Sequence, residues 1–224
     1  MHGSERIRLL DLFKNGGAYL SRSGLKLHRV LTPPPLSSTP SSKTAGKGGA
    51  VRKGVLRTRG TYVLMADADG ATRFSDVDAL LESAQHVQTT GESGPLSFAI
   101  GSRAQQWAER KIARTALRRF LSWGFHGVIN LLLGGSSIED TQCGFKLFSR
   151  AAARELFSVL HIERWAFDVE LVYIAARRGI PMVEVPVVWQ EIAGSKLDPA
   201  SASIQMARDI IVIRIAYMLG WWQL

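Results

Sequence analysis

Two carboxylates one residue apart, Asp67 and Asp69, close the apolar run Thr61-Tyr62-Val63-Leu64-Met65-Ala66 and are followed by Gly70. Hard divalent cations such as Mg2+ and Mn2+ prefer oxygen ligands. Mg2+ commonly takes one or two carboxylates from a protein while phosphate oxygens and water fill its remaining positions. An acidic pair at this spacing therefore suits a cation held against a diphosphate, with Asp67 and Asp69 as the candidate metal ligands. The same pair would equally serve to cap the next helix or to solvate a turn. Tyr62 to Met65 is apolar on both faces, as a strand buried in a parallel sheet is. Ligands of open α/β sheets gather at the carboxyl ends of such strands.

Basic residues stand at several other candidate positions. Gly46-Lys47-Gly48-Gly49-Ala50-Val51-Arg52-Lys53-Gly54 reads as a glycine turn opening a helix, where unpaired backbone N–H groups favour an anion. Lys47 and Arg52 thus become candidates for the same phosphates, although the glycine spacing is not that of a P-loop. Arg103 follows a second strand end and suits a planar, bidentate phosphate clamp. Lys196, after Gly194-Ser195, offers a point charge instead. Asp168 and Glu170 are two residues apart, so on a helix they do not share a face. One at most is expected to reach a substrate, the other pairing with Arg164 or another cation.

Composition narrows the class. The chain has 224 residues, 46% of them hydrophobic, which is ordinary for one globular domain with an appended tail. A single cysteine, Cys143, excludes an intrachain disulfide and a multi-cysteine zinc site, and the five histidines show no metal-binding spacing. The net charge of +9 is uneven: residues 1–60 hold 12 Lys/Arg against 2 Asp/Glu, whereas residues 61–224 hold 16 against 17. A nearly neutral main body argues against a nucleic-acid-binding domain and for a solvated or membrane-surface tail. No stretch reaches the roughly 18–20 uninterrupted apolar residues of a transmembrane helix. Phe120 to Leu133 and Ile210 to Leu224 come nearest, and the tandem Trp221-Trp222 suits a membrane interface as well as a buried core.

These candidates need a scaffold to position them. Residues 1–31 are basic, with Ile7 to Phe13 expected as a short amphipathic helix, and the Pro/Ser-rich run 32–45 as a linker without a core-forming pattern. Residues 1–45 are therefore expected to be a disordered basic tail and 46–224 the folded domain. Strands are expected at 61–66 and 97–100, and helices at 75–84, 110–133 and 150–157. Alternation of this kind predicts an α/β domain with a mostly parallel sheet.

Five motifs, in order, then resemble a known family: Met65-Ala66-Asp67-Ala68-Asp69-Gly70-Ala71-Thr72, Gly101-Ser102-Arg103, Asp140-Thr141-Gln142-Cys143-Gly144-Phe145-Lys146-Leu147-Phe148, Arg164-Trp165-Ala166-Phe167-Asp168-Val169-Glu170-Leu171 and Gly194-Ser195-Lys196. Together they resemble dolichyl-phosphate β-glucosyltransferase, an inverting family 2 glycosyltransferase of the endoplasmic reticulum membrane. The resemblance implies an A-type, Rossmann-like glycosyltransferase domain acting at the cytosolic face. It also implies glucose transfer from UDP-glucose to dolichyl phosphate in support of protein N-glycosylation. Asp67 and Asp69 would hold Mg2+ or Mn2+, with Lys47, Arg52 and Arg103 toward the donor. Asp140 would be the catalytic carboxylate, orienting rather than accepting a proton, and Gln142, Arg164, Trp165, Asp168 and Lys196 would face the acceptor. The family's anchoring helix, its Pro-x-Tyr-Asn-Glu motif and its Asp-Asp-Gly-Ser strand have no counterpart in residues 1–45. The domain is accordingly expected to be incomplete, lacking its first βαβ unit and one wall of the uridine pocket. An inactive membrane-associated remnant or isoform, or a dolichyl-phosphate mannosyltransferase using GDP-mannose, are the alternatives.

Overall fold

The computed structural model describes residues 7–11, 46–90, 94–109, 138–190 and 199–224. In chain order the elements are β1 (Ile7–Asp11), α1 (Lys47–Val55), β2 (Tyr62–Ala66), α2 (Val77–Thr90), β3 (Phe98–Ser102), α3 (Ala104–Glu109), β4 (Phe145–Ser149), α4 (Arg150–Ser158), α5 (Phe167–Arg177), β5 (Met182–Pro186) and α6 (Pro199–Met218). The strands form one sheet in the order β1-β2-β4-β3-β5.

The sheet is mixed, where a mostly parallel one was expected. β1 runs parallel to β2 and β3 parallel to β5, whereas β4 lies antiparallel between β2 and β3. Strand direction is set by long-range pairing with β2 and β3, which alternation of strands and helices along the sequence does not encode. Ser149 ends the strand and its Oγ accepts the Ala152 N–H, capping the helix at once. Reversing β4 matters for the site. Phe145 pairs with Ala66 and Lys146 with Ile100, so the start of β4 meets the carboxyl ends of β2 and β3.

Ile7–Asp11 is a strand, not the expected amphipathic helix, and it lies inside the segment expected to be a disordered tail. Five residues, Ile-Arg-Leu-Leu-Asp, are too few for their periodicity to separate helix from strand, and backbone pairing with β2 decides the matter. Among the described residues β1 and β2 form a parallel pair, with α1 lying between them in chain order. The helix expected at 110–133 lies outside the described residues.

Two cores flank the sheet. On one face α1, α4, α5 and α6 pack Val51, Leu156, Phe167, Ile174 and Ile213 against Met65, Phe98 and Phe148. On the other, Leu80 and Ala84 of α2 meet Leu64, Ala99 and Leu147. α5 is buried from Phe167 to Ala175 without a break, the pattern of a helix enclosed on all sides. Enclosure brings Asp168 and Glu170 inside the protein, where each needs polar partners.

Candidate active site

Asp67, Ala68 and Asp69 stand exposed just beyond the carboxyl end of β2. Asp69 Oδ1 accepts the Ala71 N–H at 2.9 Å, and Gly70 takes the positive φ of 74° that this turn requires. One oxygen of Asp69 is thereby fixed while the pair stays open to solvent. Gly144, at the entry to β4, lies against Asp67: its carbonyl accepts the Asp67 N–H at 3.1 Å, and a Cβ added there would overlap the Asp67 carboxylate.

Lys47, the first residue of α1, reaches Asp67 Oδ1 at 2.6 Å. Burial alone would lower its pKa, but the charges of Asp168 and Asp67, with a weaker contribution from Asp69, outweigh it and raise the ammonium above its usual range. The Lys47 ammonium also sits 5.7 Å from the centre of the half-exposed Trp165 ring. Behind this pair the wholly buried Lys146 donates to Asp168 Oδ1 at 2.6 Å and to the Cys143 carbonyl at 2.5 Å. Burial pushes the Asp168 carboxyl up, with Lys146 and Lys47 pulling it back. Burial likewise raises the Cys143 thiol. A row of alternating charge, Asp67, Lys47, Asp168, Lys146, therefore runs from solvent into the sheet.

A second pair stands at the end of β3. Arg103 grips Asp140 in bidentate fashion, Nε to Oδ2 at 2.7 Å and Nη2 to Oδ1 at 2.8 Å, while its own N–H donates to Oδ2 at 3.0 Å. Burial would raise the Asp140 carboxyl, but the hydrogen bonds and charge of Arg103 outweigh it and hold it below the ordinary carboxylate range. The Glu184 carboxylate accepts the Glu139 and Asp140 amides, both at 2.9 Å, and the Arg103 guanidinium lies 5.5 Å from the Trp189 ring centre.

The structure thus brings Lys47, Asp67, Asp69, Trp165 and Asp168 together, with Arg103 and Asp140 alongside. Arg52 does not join them. Its guanidinium donates to the Phe157 and Ser158 carbonyls at 2.9 and 2.8 Å, closing the carboxyl end of α4. Gln142 donates to the Met206 sulfur of α6 at 2.6 Å. Arg164 is exposed on the loop that covers Gly46, and Lys196 lies outside the described residues. Asp168 pairs with Lys146, and Glu170 binds backbone amides and a tyrosine, so the expected partnership with Arg164 gives way to these. Lys146 and Glu184 were not singled out from sequence. A lysine within the apolar Phe-Lys-Leu-Phe run was the one available signal for the first.

A divalent cation fits this arrangement. The two exposed carboxylates are hard oxygen donors, the glycine at 144 admits the Asp67 carboxylate, and among the described residues no cluster of three or more His, Cys, Asp or Glu offers a complete cage. Remaining positions would fall to phosphate oxygens and water, as Mg2+ prefers.

No protein-family model matches the chain. Among curated proteins it is 50% identical over 180 residues to the dolichyl-phosphate beta-glucosyltransferase of Dictyostelium discoideum, covering 80% of this chain and 54% of that one. The Homo sapiens enzyme of that name is 48% identical over 182 residues, 81% of this chain and 55% of its own. The Drosophila melanogaster enzyme is 43% identical over 223 residues, 100% of this chain and 59% of its own. The chain spans a little over half the length of the curated relatives it matches. Among solved structures, glucosyl-3-phosphoglycerate synthase from Mycobacterium tuberculosis with UDP overlays 76% of this chain and 54% of its own, at 17% identity and a TM-score of 0.49.

Proposed function

We propose that this chain, a sequence relative of the dolichyl-phosphate β-glucosyltransferases, transfers glucose from UDP-glucose to dolichyl phosphate, giving dolichyl β-D-glucosyl phosphate and UDP. The observation that carries the reading is the exposed Asp67/Asp69 pair beside Lys47 at the end of β2, within a sequence 48% identical to the human enzyme. An oxygen of the acceptor phosphate attacks the anomeric carbon from the face opposite UDP. The carbon–oxygen bond to UDP breaks and its electron pair leaves on the β-phosphate, so configuration inverts.

Lys47, with its raised pKa, supplies a lasting positive charge for that phosphate. Asp67 and Asp69 would hold Mg2+ or Mn2+, which when bound neutralises the charge growing on the leaving diphosphate. A phosphate monoester with a second pKa near 6 is already largely dianionic at pH 7, so a strong general base is not needed. The role of Asp140 follows from its commitment to Arg103: it orients that guanidinium toward the donor or acceptor phosphate and takes no proton itself.

A dolichyl acceptor places the work at a lipid surface, and we assign it to the cytosolic face of the endoplasmic reticulum membrane, in support of N-glycosylation. Among the described residues no helix is long and apolar enough to cross a membrane. Instead α6 carries an exposed stripe of Ile211, Val212, Ile215 and Met218, continued past its end by Leu219 and Trp221, with exposed Arg208 and Arg214 beside it. Apolar residues at helical spacing flanked by cations suit an anionic bilayer surface. The test is to supply dolichyl phosphate in vesicles with either UDP-glucose or GDP-mannose. Transfer from UDP-glucose alone is expected; transfer from GDP-mannose alone would replace this reading with mannosyl transfer.

A further inference from the structure

Glu170 is wholly buried on α5, away from the exposed carboxylates, and has no part in the chemistry above. Burying a carboxylate is costly unless several donors meet it, and here they do. Oε1 accepts the His161 N–H at 3.0 Å and the Tyr217 hydroxyl of α6 at 2.9 Å, with His161 Nδ1 at 3.2 Å, while Oε2 accepts the Ile162 N–H at 2.6 Å. Burial and the neighbouring Glu170 carboxylate both raise the Tyr217 phenol, which therefore stays a donor. Trp222 closes the joint from outside, stacked on His161 with ring centres 4.4 Å apart.

The loop so held bears directly on the first turn of α1. The Glu163 carbonyl accepts the Gly49 N–H at 3.0 Å. A Cβ on Gly46 would come within 2.6 Å of that carbonyl oxygen, and one on Gly48 within 2.7 Å of the Ile162 carbonyl oxygen. Backbone therefore lies against backbone, which only glycine permits at that approach. Lys47 sits between those two glycines, and Trp165, two residues after Glu163, lies against its ammonium.

We propose that Glu170 is a positioning residue: through the 161–165 loop it sets where Lys47 and Trp165 stand, and through Tyr217 it ties that setting to α6, the helix with the exposed apolar face. The inference rests on the transferase reading for its consequence, since Lys47 is there the contact to the donor diphosphate, but the mechanical link stands on the hydrogen bonds alone.

Tyr217→Phe removes one hydroxyl and leaves the ring packing, and Glu170→Gln breaks the acceptor set. Amide hydrogen exchange on the full chain in detergent should show faster exchange at Ile162 and Gly49 together in Tyr217→Phe, with β3 and β4 unchanged. Calorimetric titration with UDP and Mn2+ should show affinity falling about 5- to 10-fold in Tyr217→Phe and further in Glu170→Gln, the direction expected when charge-assisted hydrogen bonds are lost. Unchanged exchange at Gly49 would overturn the proposal, as would UDP affinity within twofold of the parent in a variant whose melting temperature had fallen, since a purely structural role would do just that. If the parent chain itself failed to bind UDP, the transferase reading would fall, and the paired exchange at Ile162 and Gly49 would still decide the link.

Discussion

Gly144→Ala should cost far more activity than stability. The residue is buried at the start of β4, and its new methyl would occupy the place of the Asp67 carboxylate. Asp67 is exposed enough to swing away, at a rotamer cost of about 0.5–1.5 kcal/mol. Turning also forfeits its 2.6 Å pair with Lys47, in which the Asp67 side chain is 38% exposed; solvent screening limits that loss to roughly 0.2–1 kcal/mol. Together these predict destabilisation of about 1–2 kcal/mol, a few degrees in melting temperature. The reaction suffers more. If Asp67 and Asp69 share a cation as proposed, a displaced Asp67 gives up its share, and losing about 3–4 kcal/mol of leaving-group stabilisation lowers turnover by roughly two to three orders of magnitude. Thermal melting paired with Mn2+ titration in the presence of UDP measures both halves. A Gly144→Ala protein binding Mn2+ within threefold of the parent would refute the placement of Asp67, and one destabilised by more than about 4 kcal/mol would refute the rotation that spares the fold.

Asp140→Asn should cost about 2–4 kcal/mol in urea unfolding, because it leaves the largely buried Arg103 with a weaker partner. Since Arg103 depresses the Asp140 pKa, the pair stabilises fully above the ordinary carboxylate value near 4 and loses that contribution as pH falls through the lower folded value. The variant's stability should accordingly vary less with pH below about pH 4 than the parent's. Lys146→Met strands the Asp168 carboxylate and should destabilise by about 3–5 kcal/mol, with a Lys146→Met/Asp168→Leu double variant recovering much of it, as denaturant titration would show. Arg52→Ala removes two hydrogen bonds at the end of α4 and should cost about 1–2 kcal/mol with UDP affinity unchanged; weakened UDP binding would return Arg52 to the site.

Much of the site was legible because its signals are local. The acidic pair closing an apolar strand and the glycine turn opening a helix are each written within ten residues, and β2 and α1 stand where those signals put them. Periodicity alone would have separated Lys47 from Arg52. Five residues along a helix rotate a side chain by about 140°, so both do not face one pocket, and Arg52 instead meets the end of α4. What sequence did not show is long-range. The reversal of β4 places Gly144 beside Asp67, more than seventy positions earlier, and Asp140 meets Arg103 across 37 positions; no local pattern encodes strand direction. β1 is a strand only because β2 offers it an edge. Glu170 reads as one more acidic residue on a helix until enclosure of α5 removes it from water.

The most direct measurement of the central claim is glucose transfer from radiolabelled UDP-glucose to dolichyl phosphate in detergent or vesicles with Mg2+ or Mn2+, comparing the chain with its Asp67→Ala and Asp69→Ala variants and with chelator added. Formation of dolichyl β-D-glucosyl phosphate by the parent, lost with chelator and reduced at least a hundredfold in both variants, is the predicted result. Transfer that persisted in both variants, or a parent chain that formed no glucolipid under any of these conditions, would contradict it.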